Sequence, residues 1–176
     1  SPEYVYGKSR FGGRGRLKFM NKGMEQSGSG GLTFQSENFA VLGNVNYKNF
    51  GALFAGGSLG YERPSGYEET GVNLKGKVKL SSDWQITSAY QYLIQNDVPR
   101  YDQVAQRGYQ RYSHDPQIQR LLYAKIEHFH KNPAFRKVTM TVSSQLSDET
   151  RIIQKKNSSI LQQEKDVVKS HGFSVE

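Results

Sequence analysis

The chain contains no cysteine, which removes disulfide scaffolds and thiolate metal sites from consideration. It contains no apolar run near the ~20 residues that a membrane-spanning helix needs. Hydrophobic residues make up only 35% of its 176 positions, and the mean hydropathy is −0.72. A helical membrane protein is therefore excluded. A β-barrel is not, because its lipid face lies on alternate residues while its interior and loops are polar. Acidic residues are in deficit, 16 against 24 Lys+Arg, a net charge of +8. That excess suits an anionic partner, but the cations are scattered through the chain. No secretory leader is legible. The chain opens at Ser1 without Met and closes at Glu176 inside a strand-like pattern, so it is expected to be part of a longer polypeptide.

What is present is alternation. In residues 70–100, Val72, Leu74, Gly76, Val78 and Leu80 fall on one face, and Asn73, Lys75, Lys77 and Lys79 on the other. After the polar turn 81–83, Trp84, Ile86, Ser88, Tyr90, Tyr92 and Ile94 share one face and Gln85, Thr87, Ala89, Gln91 and Gln95 the other. A period of two specifies strands with one apolar and one polar face. Arms of about ten residues match tilted strands crossing a bilayer.

The rest of the chain repeats this unit. Strands are expected near 16–20, 30–35, 39–48, 118–130, 135–146 and 166–176, about eight in all with the hairpin. Between them, tight turns at 36–38, 81–83 and 131–134 alternate with longer connections at 21–28, 49–69, 96–117 and 147–165. Residues 101–112 and 152–169 have some helical character but read as loop. Short turns at one end and long loops at the other are the habit of outer-membrane barrels. Phe39, Trp84, Phe129 and Phe135 sit beside the turns, as rings of an interfacial girdle do. An ordinary β-sandwich with edge aromatics is the competing reading.

Little in the chain points to catalysis. His128 and His130 share one side of a strand, but no third ligand completes a metal set. Glu68-Glu69 and Asp148-Glu149 are adjacent rather than opposed across a cleft. Gly12-Gly13 and Gly56-Gly57 lack the Lys-Ser/Thr of a phosphate loop. The unusual feature is the row Lys75, Lys77, Lys79, which is either a solvated face or a lumenal surface that concentrates an anionic ligand. Arg100, Tyr101, Arg107, Tyr109, Arg111 and Tyr112 form a loop that could hold such a ligand through charge-assisted bonds and ring faces, or could be solvated. No catalytic residue, metal site or cofactor is expected.

Asp97-Val98-Pro99-Arg100-Tyr101-Asp102, after Ala89-Tyr90-Gln91-Tyr92, resembles the segment following an early barrel strand in TonB-dependent outer-membrane receptors, most nearly those of Bacteroidetes. Asp115-Pro116-Gln117 followed by Arg120-Leu121-Leu122-Tyr123-Ala124 is similar to the return strand of that loop. Tyr47-Lys48-Asn49-Phe50-Gly51-Ala52-Leu53 and Gly66-Tyr67-Glu68 resemble the preceding unit. Tyr6-Gly7 and Gly12-Gly13 are similar to the end of the plug domain, although Arg14, Arg16 and Lys18 make this junction more basic than that pattern. The resemblance implies an all-β, antiparallel transmembrane barrel of 22 strands, of which this chain supplies about eight. Residues 1–13 would be the plug end or plug–barrel linker, and 14–176 the N-terminal part of the barrel.

The implied function is active uptake, in the cell outer membrane, of a ligand such as a ferric siderophore or another metal chelate. The implied partners are the TonB energy-coupling protein, outer-membrane lipid and the small ligand, with no nucleic acid. Two alternatives stay open. One is a small eight-stranded outer-membrane barrel with a structural or adhesive role. The other is a soluble β-sandwich binding glycans or nucleic acid.

Overall fold

The computed structural model describes residues 2–130 and 136–176. It is an antiparallel meander. Strands β1 (Arg10–Phe19), β2 (Gln26–Gln35), β3 (Phe39–Phe50), β6 (Tyr67–Lys79), β7 (Trp84–Asn96), β9 (Tyr109–Phe129), β10 (Lys137–Lys155) and β11 (Gln162–Val175) pair in that order. The connection from β3 to β6 carries a small separate hairpin, β4 (Leu53–Phe54) with β5 (Tyr61–Glu62). The connection from β7 to β9 carries β8 (Val98–Pro99), which pairs with β9, and one short helix, α1 (Tyr101–Gln106). Among the described residues β1 and β11 are not paired with each other, so the sheet is open.

The expected turns at 36–38 and 81–83 are present at one end; the one at 131–134, like Phe135, lies outside the described residues. The four longer connections are all at the other end, but they are shorter than expected. β2 starts at Gln26, β9 at Tyr109, and β10 runs to Lys155 before a loop of residues 156–161. Sequence reading ended these strands where their apolar residues ended. The structure continues them because main-chain pairing needs no apolar face, and because ion pairs bind the extensions together. Arg151 meets Glu164 at 2.8 Å, and Lys165 meets Asp148 at 3.1 Å. A register shift separates Glu149 from Arg151 on β10, opposite Pro116, whose missing N–H suits a bulge.

Register keeps each face continuous across the strands. Val45, Val72, Tyr92, Arg120, Leu146 and Lys169 stand on one rung across β3 to β11, and Val41, Gly76, Ser88, Ala124, Val142 and Phe173 on another. Directly opposed residues share a face, so the alternation within each strand adds up to one apolar and one polar face of the whole sheet. Exposure is inverted relative to a water-soluble sheet. On the apolar face Phe11, Leu17, Phe19, Leu32, Val45, Leu122 and Val142 are all more than half exposed. On the polar face Ala40, Glu69, Thr87, Ala89, Glu127 and Thr139 are buried. The N-terminal residues help to cover that face: Val5 N–H donates to the Ser36 carbonyl, and Tyr4 lies against Lys77.

Candidate ligand-binding face

The polar face is ordered in bands, because each rung sets residues of the same height side by side. Nearest the tight turns, the Glu127 carboxylate accepts bonds from Gln85 (2.7 Å), Lys125 (3.0 Å) and Lys137 (2.7 Å). Nearest the long loops, a second band of carboxylates and their donors runs from β1 to β10. Lys18 and Ser27 hold Glu25; Lys48 (2.5 Å) and Gln95 (2.8 Å) hold Glu69; Gln117 (2.8 Å) holds Glu149, with Arg151 at 3.6 Å. Every one of these carboxylates is matched by donors, which is what burial of a charge requires. Sequence reading dismissed Glu69 and Glu149 as adjacent pairs. Their partners lie on neighbouring strands, 21 to 32 positions away in the chain, and only the register brings them in.

Lys75, Lys77 and Lys79 do stand in a row on the polar face of β6. Lys75 is flanked by Leu42 and Ala89, and Lys77 by Ala40 and Thr87, so no carboxylate stands opposite either. Lys77 Nζ lies 4.9 Å from the centre of the Tyr4 ring. Among the described residues none of the three forms an ion pair.

The six loop residues are not brought to the lysines; they sit at the opposite end. Four of them, Arg100, Tyr109, Arg111 and Tyr112, gather there. The Arg100 guanidinium binds Asp102 with both of its facing nitrogens (3.0 and 3.1 Å) and lies 5.9 Å from the Tyr112 ring. This partner holds the Asp102 carboxyl below its ordinary range and raises Arg100. Arg111 reaches Asp97 at 2.9 Å and Asp115 at 3.6 Å, and the Tyr109 and Tyr112 rings meet edge to face at 5.2 Å. Arg111 and Tyr112 border a hollow of about 500 Å³ shared with Pro64 and Gln154. Tyr101 opens α1, and Arg107 is exposed at its end. Neither Tyr101 nor Arg107 borders that hollow.

The aromatic residues expected beside the turns divide between the two faces. Phe39 and Trp84 are on the apolar face, Trp84 with its ring 4.3 Å from that of His128. Phe129 is not: it stands opposite Lys137, on the polar face. Among the described residues no group of three metal-ligating side chains exists. No family model, characterised protein or solved structure matches this chain.

Proposed function

We propose that this sheet is part of an outer-membrane β-barrel, with its apolar face toward lipid and its polar face toward the lumen. The observation that carries the reading is the exposure of the apolar face. Phe11, Leu17, Phe19, Leu32, Val45, Leu122 and Val142 are each more than half exposed, whereas Glu69, Thr87, Glu127 and Thr139 on the polar face are buried. Apolar side chains left uncovered along one whole sheet face match the lipid-facing side of a barrel.

Within that frame we read the barrel as that of a TonB-dependent uptake receptor. The support is the resemblance of residues 89–124 and the entry of the N-terminal residues along the polar face, where a plug would lead into the first strand. The unpaired lysines of β6 favour an anionic ligand such as a ferric chelate. A small barrel closed after eight strands is favoured less. The ~40° strand tilt general to membrane barrels requires a stagger of roughly ten residues for eight strands. That stagger sets Val175 beside Phe19 and leaves the rest of β1 without a neighbour among the described residues.

The test is accessibility of single cysteines in purified outer membranes. Val72→Cys and Tyr90→Cys are expected to resist a membrane-impermeant maleimide, whereas Asn73→Cys and Gln91→Cys react in purified outer membranes. Equal reaction of both sets would overturn the bilayer reading. Uptake that persists without the energy-coupling protein would overturn the receptor reading alone.

A further inference from the structure

The apolar face carries cations where it reaches β9 and β11. The rung of Val45, Val72 and Tyr92 continues to Arg120 on β9, Leu146 on β10 and Lys169 on β11. One pleat toward the tight turns stand Leu122, Ser144 and His171, and one pleat toward the long loops Ile118, Asp148 and Val167. Arg120 and Lys169 are exposed. The Arg120 guanidinium lies 5.5 Å from the centre of the Tyr92 ring, and among the described residues neither Arg120 nor Lys169 forms an ion pair. Across these three rungs from β3 to β11 the one carboxylate is Asp148, which is bound to Lys165 at 3.1 Å. Two strand spacings set Arg120 and Lys169 about 10 Å apart with Leu146 between them, so their long side chains can converge over it. Arg120 is eight residues along β9 from His128, which pairs with Trp84 beside the tight turn. At ~3.3 Å per residue and the ~40° tilt general to membrane barrels, Arg120 stands ~20 Å above Trp84. A lipid-facing apolar band is ~25 Å tall, so the Arg120 side chain reaches its rim on the long-loop side.

We infer that Arg120 and Lys169 bind a phosphate of an outer-leaflet lipid headgroup, on the outer wall of the sheet. A cation beside hydrocarbon is costly unless it meets an anion. A guanidinium takes two phosphate oxygens at once and an ammonium takes another. Arg120, Lys165 and Lys169 outnumber Asp148, so the patch stays positive with its one carboxylate already engaged. Tyr92 flanks the guanidinium and limits its movement. Leu122, Val142 and Phe173, each more than half exposed on the tight-turn side of the patch, give acyl chains a surface. Cations at the rim with apolar side chains directly beneath them match an anionic lipid better than a free phosphate. The inference rests on the reading of the apolar face as facing lipid.

The experiment uses the full polypeptide that carries this chain, extracted in detergent and titrated with diphosphorylated lipid A, with the bound lipid read by native mass spectrometry. Lipid A is expected to bind, and its fully dephosphorylated form to bind at least tenfold more weakly. The Arg120→Gln/Lys169→Gln variant is expected to raise the Kd for lipid A at least tenfold. The Lys75→Gln/Lys77→Gln/Lys79→Gln variant, which removes three cations from the opposite face, is expected to leave it within twofold. Inorganic phosphate, matched to chloride in ionic strength, is expected to displace no lipid. No binding, equal binding of the dephosphorylated lipid, an unchanged Kd in the Arg120/Lys169 variant, or displacement by inorganic phosphate overturns the proposal. The comparison of the two lipids uses the unaltered chain, so it decides the matter whether or not the variants fold. Those failures leave the cysteine accessibility pattern intact, so they are distinguishable from failure of the barrel reading.

Discussion

Asp102 shows how a single residue orders a loop that sequence reading left without structure. Its carboxylate receives Arg100 twice and the Gln103 side chain at 2.7 Å, and these bonds start the six-residue α1. A helix that short does not persist on its own. Because Asp102 titrates lower in the fold than in an open loop, the ionised form is the one the fold favours. The contribution is therefore full above the free carboxylate value of about 3.9 and is lost as pH falls through the lower folded value. Amide exchange checks this. Protection of the Val104 and Arg107 N–H groups, which bond Arg100 and Gln103 carbonyls, is expected to be flat from about pH 5 to 7 after correction for intrinsic rate. It is expected to fall below about pH 4. Asp102→Asn should lack that step; an identical profile in the variant would assign the loss to another group.

At the scale of elements, the long connections hold one another. Gly51 N–H donates to the Met24 carbonyl at 3.2 Å, Lys22 Nζ lies 3.0 Å over the Phe54 ring, and Phe54 meets Tyr61 edge-on at 5.1 Å. The loop before β2 and the hairpin after β3 thus form one unit. A Cβ at Gly51 would collide with the Gly23 carbonyl. Gly51→Ala is expected to break the Gly51–Met24 bond, lower protection of the Gly51 amide at least tenfold, and destabilise this end by about 1–3 kcal/mol. Unchanged exchange would show that the first loop can yield without cost. The strand positions were legible because Val72 to Val78 and Trp84 to Ile94 alternate over long runs. The extensions of β9 and β10 were not, because residues such as Asp148, Glu149 and Thr150 are polar on both faces, and only cross-strand pairing makes them strand.

At the scale of the whole molecule, the question is how the open sheet is completed. On the bilayer reading an unpaired strand edge is not tolerated, and among the described residues β1 and β11 each have one. If eight strands close the ring, Phe19→Cys and Val175→Cys become neighbours and cross-link on oxidation. On the larger-barrel reading that pair does not cross-link. The control pair Val72→Cys and Tyr92→Cys, opposed across β6 and β7, does. Gel mobility of the oxidised double variants decides it, and a Phe19–Val175 bond would replace the receptor reading with the small barrel.

The sequence by itself determined the all-β class, the two-faced strands, the alternation of short and long connections, and the lysine row on β6. These depend on period and turn chemistry, which are local. Only the tertiary structure decided which rung each residue occupies. Register set the partners of Glu69, Glu127 and Glu149, placed Phe129 on the polar side, separated the loop arginines from the lysines, and set Arg120 and Lys169 on one rung of the apolar face. A side chain's face follows from its own strand. Its neighbours depend on how far each adjoining strand has slid before pairing, and no local pattern records that.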